Sequence, residues 1–150
     1  MYQGYYTDFA RTILIGKPNR EQKRIYSAAY NSLHAAISAV SPGVPSSLLD
    51  EKVKKVIVES DCSDMSFGLI GHGVGVTAQE PPYFVTKELQ KAGASASENI
   101  LREGMVFALS VGVFAPELGG VRFEEVVVVT SNGRKVLSRA PYPEIEKYIN

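Results

Sequence analysis

Three polar side chains stand where chemistry could be done. Asp8 lies in an aromatic, strand-forming stretch. His72 stands between two glycines. Glu124 interrupts Val121–Thr130, a run that otherwise reads as buried strand. Two carboxylates and an imidazole form a donor set that suits Mn, Co, Fe or Zn. An acid inside an apolar strand is costly unless it is paired, hydrogen-bonded or metal-bound. The same residues also read as a surface aspartate, a hydrogen-bonded loop histidine and a glutamate paired with Arg122. Residue chemistry by itself leaves both readings open.

The elements that must position them follow from pattern. Residues 1–16 predict a hairpin: Tyr2, Tyr5, Tyr6 and Phe9 are strand formers, and Ile13–Ile15 is a second apolar run. Asn19 with Gln22 reads as a capping box. Behind it Ile25, Ala29, Leu33, Ala36, Ile37 and Val40 form one apolar helical stripe, ending at Pro42-Gly43. Ser47 with Asp50 predicts the start of a second helix, with Leu49, Val53, Val56 and Ile57 inward and Glu51, Lys52, Lys54 and Lys55 outward. Residues 61–75 are glycine-rich, and residues 79–104 read as a long irregular connection holding Pro81-Pro82 and the polar stretch 93–99. Met105–Phe114 and Val121–Thr130 predict strands. Ser131-Asn132-Gly133 is a hairpin turn, Lys135–Leu137 the return strand, and residues 144–149 a last turn of helix. A hairpin, two helices and then antiparallel strands make an α+β pattern with helices on one face of a curved sheet.

Length and charge narrow the classes. The chain has 150 residues, which is one domain's worth, and no linker or repeat divides it. Its formal net charge is zero, which argues against binding nucleic acid through phosphates alone. The single cysteine excludes a disulfide framework and a thiolate zinc cluster. Cys62, among acidic residues, is expected to be inert, and His34 to be a partly exposed helix residue. The apolar runs are too short to span a bilayer, and Met1–Asp8 is unlike a signal peptide, so a cytoplasmic domain is expected. Gly71–Gly75 lacks the Lys-Ser/Thr of a phosphate loop. Tyr2, Tyr5 and Tyr6 read as strand packing or an exposed patch rather than a base-stacking platform.

Four phrases occur in order: Gly4-Tyr5-Tyr6-Thr7-Asp8-Phe9-Ala10-Arg11-Thr12, Gly71-His72-Gly73-Val74-Gly75, Gly104-Met105-Val106-Phe107, and Gly119-Gly120-Val121-Arg122-Phe123-Glu124-Glu125. Together they resemble the pita-bread metallopeptidases over nearly the whole chain, with aminopeptidase P and Xaa-Pro dipeptidase as the nearest-looking branch. The resemblance implies an α+β pita-bread fold truncated at its N-terminal side. It also implies the family's chemistry: two divalent metals, usually Mn, Co or Zn, held by two Asp, one His and two Glu, and hydrolysis of the peptide bond next to the N-terminal residue. By resemblance Asp8 is the second Asp, His72 the metal-binding His, Glu124 the last and bridging Glu, and Arg122 the Arg that helps hold the substrate. His72 and Arg122 are thus the catalytic candidates, and Asp8, His72 and Glu124 the metal candidates.

The departures lower the expected activity. The family's first Asp has no counterpart among these residues. Ser110-Val111-Gly112 stands where the family has Glu-Pro-Gly, and Gln79 stands before Glu80 where it has a catalytic His. Two dications carry four positive charges, and two carboxylates offset only half of them, so a close cation pair is disfavoured. Gln79 cannot exchange a proton near neutral pH. The expectation is a weakly active or inactive Xaa-Pro dipeptidase or aminopeptidase homologue, taking at most one divalent cation per chain, or none. The alternatives are a non-catalytic protein- or peptide-binding module of the same fold, and a metal-free creatinase-like hydrolase using His72 as acid–base group. The expected partners are a peptide and a second copy of the chain that covers the exposed sheet edge, with neither nucleic acid nor membrane.

Overall fold

The computed structural model describes residues 2–86, 91 and 99–142. Among these residues, two helices, α1 (Arg20–Ala39) and α2 (Ser46–Glu59), and a short 3-10 turn at Ser63–Met65 precede five strands: β1 (Ser66–Gly73), β2 (Glu80–Phe84), β3 (Val106–Ala115), β4 (Gly119–Thr130) and β5 (Gly133–Val136). The strands form one antiparallel sheet in the order β2-β1-β3-β4-β5. Among the described residues no helix is long and apolar enough to cross a membrane.

Local chemistry explains α1. The Asn19 side chain accepts from the Gln22 amide at 2.8 Å, and the Gln22 side chain accepts from the Asn19 amide at 3.0 Å. Two N-terminal donors that the helix itself cannot satisfy are thereby paired. All six residues of the apolar stripe are buried. The stripe packs on one face of β3 and β4, where Phe107, Leu109, Val111, Val113 and Phe123 point toward the helices. Phe123 meets Tyr26 edge-on at 4.9 Å.

Strand alternation then sends the polar residues to the opposite face. Ser110 lies directly across from Glu124, Gly112 across from Arg122, and His72 across from Ala108. The core thus dictates the orientation of the candidate residues, since a one-residue slip would turn Phe123 out and Glu124 in.

Three expectations need correction. Among the described residues, 2–16 form no hairpin. Tyr2 and Tyr5 close a tight turn on each other, and the extended chain beyond pairs through Ala10 with Glu124. The reason is an open edge: β5 covers β4 only from Val127 to Thr130, so the free groups at residues 122–124 take Ala10 and Thr12 instead. Helix α2 starts at Ser46 behind Pro45, whose φ of −73° suits a helix entry, and no side chain caps it. Asp50 instead pairs with Lys54 at 2.9 Å. The glycine-rich stretch contains strand β1, and the supposed irregular connection contains β2. Prolines hid β2, which tolerates them because it is the edge strand. The rest of that connection, residues 87–90 and 92–98, and the predicted turn of helix at 144–149 lie outside the described residues.

Candidate metal centre

The N-terminal segment completes the site. Tyr6 donates its amide to Gly75 just past β1, and Ala10 pairs with Glu124 on β4. Residues 6–10 therefore cross the sheet on the face opposite the helices and carry Asp8 over it. Asp8 Oδ2 lies 3.5 Å from His72 Nε2, and Glu124 Oε1 lies 3.9 Å from the same nitrogen. One donor atom from each of Asp8, His72 and Glu124 falls within 4.8 Å of the others. The structure brings the three metal candidates together, with Arg122 beside them.

Hydrogen bonds dictate which atoms face the centre. His72 Nδ1 is 3.1 Å from the Gly73 carbonyl, which can only accept, so Nδ1 carries the proton and donates. In the neutral ring Nε2 is then a lone pair, aimed at two carboxylate oxygens. Glu124 is 2% exposed, and its Oε1 is buried with no hydrogen-bond partner among the described residues. Its other oxygen, Oε2, accepts from Arg122 at 3.0 Å. Burial pushes the Glu124 carboxyl above the ordinary range. Arg122 opposes this and the nearby Asp8 charge adds to it.

The donor set fits one divalent cation. Donors on one first-row dication, each about 2.0–2.2 Å from it, stand roughly 3 Å apart, so the observed separations need only small closure. The cation would meet the orphaned Oε1, the Nε2 lone pair and Asp8 together, and the two carboxylates would balance its charge. Without it, a proton on Nε2 or on the Glu124 carboxyl, whose burial favours the neutral form, would reconcile the three facing acceptors.

Gly73 sets the spacing on the far side of His72. A Cβ there would stand 2.5 Å from the Pro81 carbonyl oxygen and 2.8 Å from that of Glu80, both backbone atoms of β2. Gly73→Ala is expected to push β2 off β1 and cost about 1–3 kcal/mol, read as a lower midpoint in denaturant unfolding.

Residues 1–131 match metallopeptidase family M24. The chain belongs to this family. An Xaa-Pro dipeptidase of Pyrococcus horikoshii is 34% identical over 139 residues, which are 93% of this chain and 37% of that protein. One of Lactobacillus delbrueckii is 32% identical over 135 residues, 90% of this chain and 34% of the relative. Among solved structures, the prolidase of Pyrococcus furiosus superposes with a TM-score of 0.83 at 34% identity, covering 94% of this chain and 39% of that one. An X-Pro aminopeptidase of Thermotoga maritima gives 0.82 at 27% identity, covering 95% and 38%. The M24 chain thus has the pita-bread fold and spans little more than a third of the length of these relatives.

Three residues that brace the strand carrying Glu124 had no role in the sequence reading. Arg11 donates to the Glu124 carbonyl at 2.9 Å and pairs with Glu125 at 2.5 Å, while Tyr142 also donates to Glu125. The signal was present: consecutive acids in a strand must face opposite sides, so Glu124 and Glu125 each need their own cation. The other candidates stay bland. His34 is half-buried, with Nδ1 on the Tyr30 carbonyl. Burial, more than the acidic neighbours, pushes the Cys62 thiol up. Tyr2, Tyr5 and Tyr6 form an exposed patch.

Proposed function

We propose that this chain is an Xaa-Pro dipeptidase-type M24 domain. In this reading it binds one divalent cation, Mn, Co or Zn, through Asp8, His72 and Glu124, engages a peptide there, and hydrolyses it weakly or not at all. The observation that supports the reading best is the convergence of Nε2 and two carboxylate oxygens around the orphaned Glu124 Oε1. When bound, a divalent cation supplies Lewis acidity and lowers the pKa of water. The chain's own residues do the rest. The Gly73 carbonyl holds the His72 ring, and residues 6–10 hold Asp8 over the sheet. Two carboxylates balance one dication and leave a second uncompensated. Gln79 offers no proton to a leaving amine, and loss of a general acid–base group typically costs about 10²–10⁴-fold in rate.

Assay of the purified chain with Mn, Co or Zn and an Xaa-Pro dipeptide is the direct test. The expected turnover is at least about 10²-fold below that of a relative with the full residue set. Comparable turnover refutes the impairment. A second reading, a metal-free binding module or hydrolase, gains support from the His72 ring itself. Protonated at Nε2, it would pair with Asp8 and Glu124 at the observed distances. Elemental analysis of untreated protein separates the two readings: one cation per chain favours the first, and none favours the second.

A further inference from the structure

We propose that Arg122 serves as a built-in second cation of this site, taking one oxygen of Glu124 and thereby weakening the hold of the centre on a divalent ion. This rests on the reading of Asp8, His72 and Glu124 as a cation site and adds what tunes its affinity.

Ser110 leaves room beside Glu124. Its short side chain lies opposite Glu124 in the β3–β4 register, on the same face of the sheet. Arg122 is two residues before Glu124 on β4 and shares that face. Its guanidinium bends into the gap, with Nε donating to Ser110 Oγ at 2.9 Å and Nη2 to Glu124 Oε2 at 3.0 Å. The two bonds come from one rigid planar group, so they fix the guanidinium relative to both strands. Glu124 is therefore split. Oε2 faces a permanent positive charge, because arginine does not deprotonate in proteins. Oε1 alone faces His72 and Asp8.

Charge counting gives the consequence. Two carboxylates and one guanidinium sum to one negative charge, so a bound dication leaves one positive charge over. A second dication would leave three. The guanidinium also weakens the first ion, since both draw on the same carboxylate. An Arg122 committed to Ser110 and Glu124 is, in addition, withdrawn from any peptide carboxylate.

Binding isotherms for Mn²⁺, followed by loss of the free-ion paramagnetic resonance signal, test this on the native chain and three variants. Arg122 is half exposed, with its side chain at 53%, so Arg122→Met should leave the fold intact. Removing its charge should tighten Mn²⁺ binding about tenfold, the scale expected of a water-screened unit charge near a dication. Arg122→Lys keeps the charge and should bind within about threefold of native, which separates charge from shape. Ser110→Glu adds a carboxylate donor as well as a negative charge, so it should tighten binding whatever Arg122 does and serves as the assay's positive control. Arg122→Met binding no tighter than native, in a protein that still unfolds cooperatively, overturns the proposal. Native and variant chains that all fail to bind Mn²⁺ overturn the cation site itself. Binding by Arg122→Met alone is the same effect at its extreme and supports it.

Discussion

Arg11→Met is expected to remove about 3–5 kcal/mol of folding stability, the usual cost of breaking a buried ion pair from one side. The Arg11 side chain is 8% exposed and that of Glu125 is 3%. Arg11 ties three segments together. Its Nη1 donates to the carbonyls of Ala10 and Glu124, and its Nη2 to Glu125 Oε1 and the Ala140 carbonyl. The guanidinium lies over the Tyr142 ring, 4.0 Å from its centroid. Methionine keeps the aliphatic bulk and deletes every one of these bonds. Glu125 would remain on the helix-facing side of β4 as a buried charge without its cation. The network is already incompletely satisfied, since Glu125 Oε2 and Arg11 Nε lack partners among the described residues. Losing the cation therefore leaves little to compensate. For a chain of this size the melting temperature should fall by roughly 10 °C or more. Adding Glu125→Gln should recover at least half of the loss, because the uncompensated charge is then gone. A single-variant loss below about 1 kcal/mol would show that the pair is not what holds the N-terminal segment. The same substitution should weaken cation binding, as Asp8 is three residues along that segment.

This network marks the boundary of what the sequence made legible. Helix α1 was readable because its determinants are local: a capping pair three residues apart and a stripe at helical spacing. Strands β3, β4 and β5 were readable because their apolar runs are long and a Ser-Asn-Gly turn joins the last two. The N-terminal segment was misread for the opposite reason. Its strand-forming residues suggested a local partner, but the partner of Ala10 is Glu124, more than a hundred residues away. Propensity tells that a segment wants a neighbour and not which one. Strand β2 was missed because prolines argue against strand everywhere except at an edge, and edge position is a property of the whole sheet. The site was legible only in part. Asp8, His72 and Glu124 lie on three separate segments, and no spacing rule joins them. Their grouping was suggested by ordered motifs and now has a geometric basis. The splitting of Glu124 between Arg122 and the open centre depends on a cross-strand register that no motif contains.

Glu124→Gln should move stability and cation binding in opposite directions. Glutamine keeps the shape and removes the charge that burial disfavours. Burial raises the Glu124 carboxyl above its ordinary value, so the folded chain takes up this proton at higher pH than the unfolded chain does. The contribution to stability is therefore fully present below the ordinary glutamate value and is lost as pH rises through the folded value. At neutral pH, with divalent ions chelated, the charged native side chain is a liability. The glutamine variant should then melt higher than native, while Arg122, half exposed, can turn to water. The native chelated protein should gain on the variant as pH falls into the mildly acidic range. Cation binding runs the other way. A neutral amide offers one weak oxygen donor and leaves Asp8 as the one carboxylate of the three donors, so Mn²⁺ affinity should drop by about 10²-fold or more. Saturating Mn²⁺ should raise the melting temperature of the native chain near neutral pH and lose that effect on acidification, because ion and proton compete for the same oxygen. Melting curves across pH, with chelator and with Mn²⁺, read both effects on one sample. A chelated variant less stable than native at every pH would mean that the Arg122 pair outweighs desolvation. Glu124 would then be a structural ion-pair partner rather than a strained ligand awaiting its cation.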